Sequence, residues 1–251
     1  MNSKNRSLVI GLAVGALAMM VGLTGRGQAD IRTQDLVAEL PPIGDTSIFS
    51  EAPLWPPHSD AKWLWVGDGG SFFGEERALI QFSFSTVPVS VTIQQALLWL
   101  SLDQQATGYS PEPLSISIHR VTQPWAETAT WNQMADKFAE SYATVTVGHT
   151  SACAFDITGL VRAWRAYDAT NGASGYQNYG LMVKATSFVP GIQKIFFSRE
   201  APTAPEPIPG AKGPILQIYS GSAPAPTPTA TLPPLPNRLF MPLVSRAATC
   251  P

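Results

Sequence analysis

From about Ile43 to about Ser220 the chain runs in short stretches of alternating apolar and polar residues, broken by clusters of Gly, Pro, Ser and Asp. Successive side chains of a strand point to opposite faces, so alternation with a period of two predicts strands. Ten are predicted: 46–50, 62–66, 77–84, 92–103, 114–121, 143–147, 152–156, 179–185, 192–198 and 214–220. Leu114-Ser-Ile-Ser-Ile118 is the cleanest of them. Many short strands with turn signals between them predict an all-β fold, a jelly-roll-type β-sandwich formed by residues 43–220 as one domain. One segment departs from the rhythm. Between Thr158 and Asp168, Leu160, Val161, Trp164 and Tyr167 fall at helical spacing, which predicts one short amphipathic helix with Asp156 or Thr158 as its cap. Asn171-Gly172 then marks a tight turn.

Both ends read differently. Lys4 and Arg6 precede an apolar run from Leu8 to Leu23, and Gly27-Gln28-Ala29 offers small residues for cleavage. Residues 1–29 are therefore expected to be a signal peptide. The rival reading, an uncleaved anchor, meets a run shorter than the roughly 20 residues that a bilayer needs. Residues 30–42 are expected to be a flexible lead-in. After Ser220 the composition shifts to a charge-free stretch with six prolines between Gly221 and Pro236. Such a segment buries no core and is expected to be a disordered Pro/Thr-rich linker. Residues 237–251 carry a short apolar motif flanked by Arg238 and Arg246. It reads either as a sorting or retention tag or as a tail that docks nowhere, and it is too short to span a membrane.

Charge narrows the partners. The chain carries 16 basic and 18 acidic side chains. Cleavage after Ala29 removes Lys4, Arg6 and Arg26, leaving 13 against 18 and a net charge of −5. No basic patch invites a nucleic acid. Cys153 and Cys250 are the only cysteines, too few for a disulfide framework or a thiolate metal site. Cys153 reads as a core residue, and a bridge to Cys250 would have to reach across the linker.

The most distinctive stretch is Arg120-Val-Thr-Gln-Pro-Trp-Ala-Glu-Thr-Ala-Thr-Trp-Asn132. It is followed by Phe155-Asp-Ile-Thr-Gly-Leu-Val-Arg-Ala-Trp164 and Asn178-Tyr-Gly-Leu181. Arg77-Ala-Leu-Ile-Gln-Phe82, Phe197-Ser-Arg-Glu200 and Pro214-Ile-Leu-Gln-Ile-Tyr219 complete an ordered set. In this order the motifs resemble the secreted β-sandwich modules called DNRLRE domains, grouped with carbohydrate-binding module family 96. The resemblance covers roughly residues 45–219. It departs at Ala52-Pro-Leu-Trp-Pro-Pro-His-Ser-Asp60, which replaces the family's usual early loop. It implies binding of an extracellular or cell-surface polysaccharide without catalysis. The alternative is a structural or adhesive cell-envelope module with no sugar site. Structural roles follow for the matched Arg77, Trp125, Glu127, Trp131, Asn132, Asp156, Trp164, Arg199 and Glu200.

The remaining tryptophans are the candidates for sugar. Ala96, Leu98, Leu100 and Leu102 form one strand face, so Trp99 points to the other. Leu64 and Val66 likewise send Trp63 and Trp65 outward, and the same count sends out His119. A flat indole suits the C–H face of a pyranose. Trp63, Trp65 and Trp99 are therefore expected to form a platform, with Trp55 on the adjoining loop and His119 nearby, unless a covering element makes them a second apolar layer. No cofactor is expected beyond a structural calcium, a hard cation that takes oxygen ligands, with Asp45, Glu51, Asp60 and Asp68 as candidates. No nucleophile elbow, His-Glu-x-x-His motif or phosphate-cradling glycine loop appears, so no enzyme is expected.

Overall fold

A computed structural model describes residues 35–54, 61–203 and 210–221. The expected signal peptide, residues 222–236 of the expected linker, the terminal motif, Cys250, Trp55 and Asp60 lie outside the described residues. Eleven strands and two helices follow in order: β1 (Asp35–Leu40), β2 (Pro42–Phe49), β3 (Trp63–Asp68), β4 (Glu75–Phe82), β5 (Ile93–Ser101), β6 (Leu114–Val121), α1 (Trp131–Met134), β7 (Phe138–Val147), β8 (Ala152–Asp156), α2 (Thr158–Ala169), β9 (Leu181–Ala185), β10 (Gln193–Phe197) and β11 (Ile215–Ser220).

They form two antiparallel sheets, and the fold is an all-β sandwich. The smaller sheet has the order β1-β11-β5-β8. The larger runs β10-β3-β4-β9-β6-β7, with β2 also paired to β4. Alternation decides what lies between them. Ala78, Ile80 and Phe82 of β4, Ala96, Leu98 and Leu100 of β5, and Leu114, Ile116 and Ile118 of β6 join one buried cluster. The α2 helix contributes Leu160, Val161 and Trp164 to that cluster, because these positions share one helical face. Asp156 Oδ1 accepts from the Thr158 N–H at 3.0 Å and so serves the start of the helix. Thr158 Oγ1 in turn accepts from the Ala96 N–H of β5 at 2.9 Å.

A second apolar cluster lies on the outer face of the larger sheet. Ile48, Leu79, Val121 and Met182 are covered by Ala129 and Met134, with Trp125, Trp131, Phe138 and Tyr179 packed around them. The connection from β6 to β7, which holds the two-tryptophan motif, folds over the sheet to make this layer. Its single helical turn, α1, is an addition to the one helix expected. Arg77 reaches out from β4 beneath it, its guanidinium 4.5 Å from the Trp131 ring centroid and donating to the Ala135 carbonyl. The Trp125 indole N–H donates to the Tyr179 carbonyl at 2.7 Å.

The lead-in is partly ordered: its residues 35–40 form β1, paired with β11. An edge strand with a register shift between Leu36 and Ala38 shows no clean alternation, so the pattern hides it. Polar residues hide the start of β2, where Asp45, Thr46 and Ser47 are all buried. The β7 strand begins five residues before its predicted start because register shifts against β6, at Ile118/His119 and His119/Val121, break its period.

Candidate functional site

Trp99 lies on the outer face of the smaller sheet, opposite Ile215 of β11 on one side and Ala154 of β8 on the other. It is 38% exposed. Its indole N–H donates to Gln217 Oε1 at 2.8 Å. The Tyr219 hydroxyl donates to the same oxygen at 2.8 Å, and Gln217 Nε2 donates to Glu39 Oε1 of β1 at 2.6 Å. Three strands thus fix the edge of one indole and leave a ring face accessible. Trp99 lines a trough of about 600 Å³ together with Pro41, Pro42, Ser101, Lys212 and Ile215.

Trp63 and Trp65 lie on the other sheet, so the expected platform is divided. Alternation places each side chain outward, but β3 belongs to the larger sheet and β5 to the smaller, whose outer faces look in opposite directions. Nor are the two rings coplanar: their centroids are 6.3 Å apart and their planes meet at 75°. The Trp63 indole N–H donates to Asp103 Oδ2 at 2.9 Å. Both half-buried rings line a cleft of about 370 Å³ with Asp103 and residues 105–107. Phe73 packs 6.1 Å from Trp65, between centroids.

His119 is separate from both. Its Nδ1 lies 2.8 Å from the Ala139 carbonyl, so it carries the proton, and Nε2 accepts from Ser117 Oγ at 2.9 Å. Desolvation lowers its pKa from the ordinary histidine value. Both nitrogens are occupied, and the ring packs against Phe138.

The acidic residues expected around calcium also separate. Asp45 joins Glu127 and Glu200, with ligand oxygens within 4.8 Å of one another. Arg199 brings one positive charge to this group: its guanidinium pairs with Glu127 at 2.7 Å and with Glu200, and its backbone N–H donates to Asp45 Oδ2 at 2.9 Å. Glu51 and Asp68 instead line a hollow of about 500 Å³ beside the β3–β4 hairpin. The matched Glu127 also accepts from the Asp45 N–H, and the Asn132 N–H donates to the Pro53 carbonyl. Arg120 does not reach Glu127: it pairs with Glu140 and lies 3.8 Å from the Tyr176 ring.

Alternation placed Trp99 on the outer face but did not reveal its neighbours. Gln217, Tyr219 and Glu39 come from strands far away in sequence, and only the register of β1, β11 and β5 brings them together. Asp103 escaped for a similar reason, since nothing local links it to Trp63.

The chain is thus a two-sheet antiparallel sandwich with Trp99 on the outer face of the smaller sheet and Trp63 and Trp65 on the larger. The family model of carbohydrate-binding module family 96 matches residues 38–205, and the chain belongs to that family. No curated protein matches the chain.

Proposed function

We propose that the sandwich is a secreted, non-catalytic module that holds an extracellular polysaccharide in the trough on its smaller sheet, with a sugar ring stacked on Trp99. The observation that carries this reading is the exposed Trp99 indole, whose N–H edge is fixed by Gln217. A large apolar face held in one orientation gives contact at little cost in side-chain entropy. A pyranose brings C–H bonds to that face, while Gln217, Glu39, Ser101 and Lys212 stand near enough to the ring to meet hydroxyls. Membership of a carbohydrate-binding family supports the substrate class. The secretory character of residues 1–29 supports the location, and no helix among the described residues is long and apolar enough to cross a membrane. The Trp63–Trp65 cleft fits a sugar less well, because both rings are half-buried and their planes meet at 75°.

Affinity electrophoresis of the full chain through gels containing different soluble polysaccharides tests the reading. Trp99→Ala is expected to weaken retention at least tenfold while moving Tm by no more than about 2 °C, since substitutions at exposed positions rarely exceed ±0.5 kcal/mol. Retention equal to wild type would remove Trp99 from the site. If no glycan retards the wild type, and self-association depends on residues 237–251, the structural or adhesive reading replaces this one. Release of reducing ends would make the protein an enzyme.

A further inference from the structure

Glu76 is the least expected side chain in the sandwich. It stands near the start of β4, on the strand face that carries Ala78, Ile80 and Phe82 into the core, and it is 0% exposed. Neither carboxylate oxygen has a hydrogen-bond partner among the described residues. Across the sheet, Glu76 pairs with Gly67 of β3, and Gly67 pairs with Gln193 of β10. The row therefore reads Glu–Gly–Gln, with a residue lacking a side chain at its centre. Gln193 is 6% exposed, and its Oε1 also lacks a partner. The other end of its amide is spent, because Nε2 donates to the Gly108 carbonyl at 2.9 Å.

One orphaned oxygen from each residue lies beside Gly69. A Cβ added to Gly69 would lie 2.6 Å from Glu76 Oε1 and 3.1 Å from Gln193 Oε1. Both oxygens thus border the same small space, which only a glycine keeps open. Gly67 is equally constrained: at φ +139°, its added Cβ would fall 2.4 Å from the Ile192 carbonyl oxygen. Asp68, next along β3, contributes a second negative charge felt by Glu76. One of its oxygens accepts from the Gly70 N–H at 2.8 Å.

Burying an ionised carboxylate without a partner costs several kcal/mol, and so does leaving an amide oxygen unpaired. Burial pushes the Glu76 carboxyl up to about 8, with Asp68 adding to the effect. A proton would supply one donor for three orphaned oxygens. A cation would serve them all, and two carboxylates balance a double positive charge. The oxygen-only donor set excludes soft metals. It suits calcium, which takes carboxylates and amide carbonyls in flexible geometry, more than magnesium, which holds its waters and demands an octahedron. Asp68 also lines an acidic hollow with Glu51 and Glu75 beside the same hairpin.

We propose that Glu76, Gln193 and Asp68 bind a structural calcium ion that ties β4, β3 and β10 together. β3 and β4 are paired through only two residues each, Gly67–Glu76 and Asp68–Glu75. The ion supplies the cross-link that this short ladder lacks. The hairpin it secures carries Phe73, which packs on Trp65.

Chelator-treated full-length protein, titrated with calcium chloride, is expected to gain about 5 °C or more in Tm. Terbium bound in place of calcium should luminesce on excitation of tryptophan, and calcium should displace it. Glu76→Gln should abolish both responses, and Asp68→Asn should weaken calcium binding at least tenfold. Asp45→Asn, in the Arg199 cluster, should leave the calcium shift intact. A wild-type Tm and terbium signal indifferent to calcium would overturn the proposal, most directly if Glu76→Gln were as stable as wild type, because the site would then hold a proton. A full calcium response in both Glu76→Gln and Asp68→Asn would overturn it too, placing the ion elsewhere. If Glu76→Gln fails to fold, the wild-type titration and Asp68→Asn still decide.

Discussion

Asp45 is a carboxyl buried beside two others, with one arginine shared among the three. Burial pushes it up to about 8; the Arg199 N–H pulls the other way, and the Glu200 charge adds to the rise. Asp45 Oδ1 meets no donor, so a proton on the Asp45–Glu200 pair supplies the missing hydrogen. The unfolded chain releases this proton near the ordinary aspartate pKa of about 3.9. Between that value and about 8 the folded state binds a proton that the unfolded state lacks. Stability therefore falls as pH rises through this window and levels off above it. Urea midpoints measured in saturating calcium should decline from pH 5 to pH 8 in the wild type. They should decline less in Asp45→Asn, whose amide carries its hydrogens at every pH. An unchanged slope in the variant would assign the effect to another group.

Arg77 joins an element of the sheet to the connection that covers it. It is buried, pairs with Glu75, donates to the Ala135 carbonyl and lies over the Trp131 and Phe138 rings. Removing it leaves Glu75 without its cation and the second apolar layer without its latch. Arg77→Ala should cost about 3 kcal/mol in urea unfolding. Arg77→Lys should recover less than half, because an ammonium cannot serve the carboxylate, carbonyl and ring faces from one planar group. Elements like β6, β8 and α2 were legible in the sequence to within a residue or two, since each repeats its apolar core positions at a regular period. β1, the start of β2 and the start of β7 were not. An edge, a polar interior and a bulge each erase the period that pattern-reading needs. The same limit applies to the site. Alternation gives the outward direction of Trp63, Trp65 and Trp99, but the sheet each belongs to is a property of pairing. Pairing joins residues such as Glu39 and Gln217 that share no local signal. Glu76 went unread for the opposite reason: its strand pattern marks an inward position, and its charge argues against one.

For the molecule as a whole, β11 is the closing piece. It lies between β1 and β5 in the smaller sheet, and without it both neighbours would present bare edges. A chain ending at residue 213 should keep the larger sheet's strands but expose two unpaired edges, the usual template for aggregation. Size-exclusion chromatography should show it as soluble oligomers or precipitate, where a chain ending at residue 221 runs as a defined species. A monomeric truncated protein with wild-type Tm would contradict the central place of β11. The two outer faces then carry different duties. The larger sheet's face is partly roofed by its own connection, while Trp99 stands open on the smaller.

That central strand also sets a timetable. Residues 215–220 are among the last of the sandwich to be synthesised, yet they must slide between partners drawn from residues 35–40 and 93–101. Contacts so distant in sequence form slowly and late. The trough around Trp99, which needs Ile215 and Gln217 in register, cannot exist on a nascent chain. The trough then takes shape only once residues 215–217 have joined the smaller sheet.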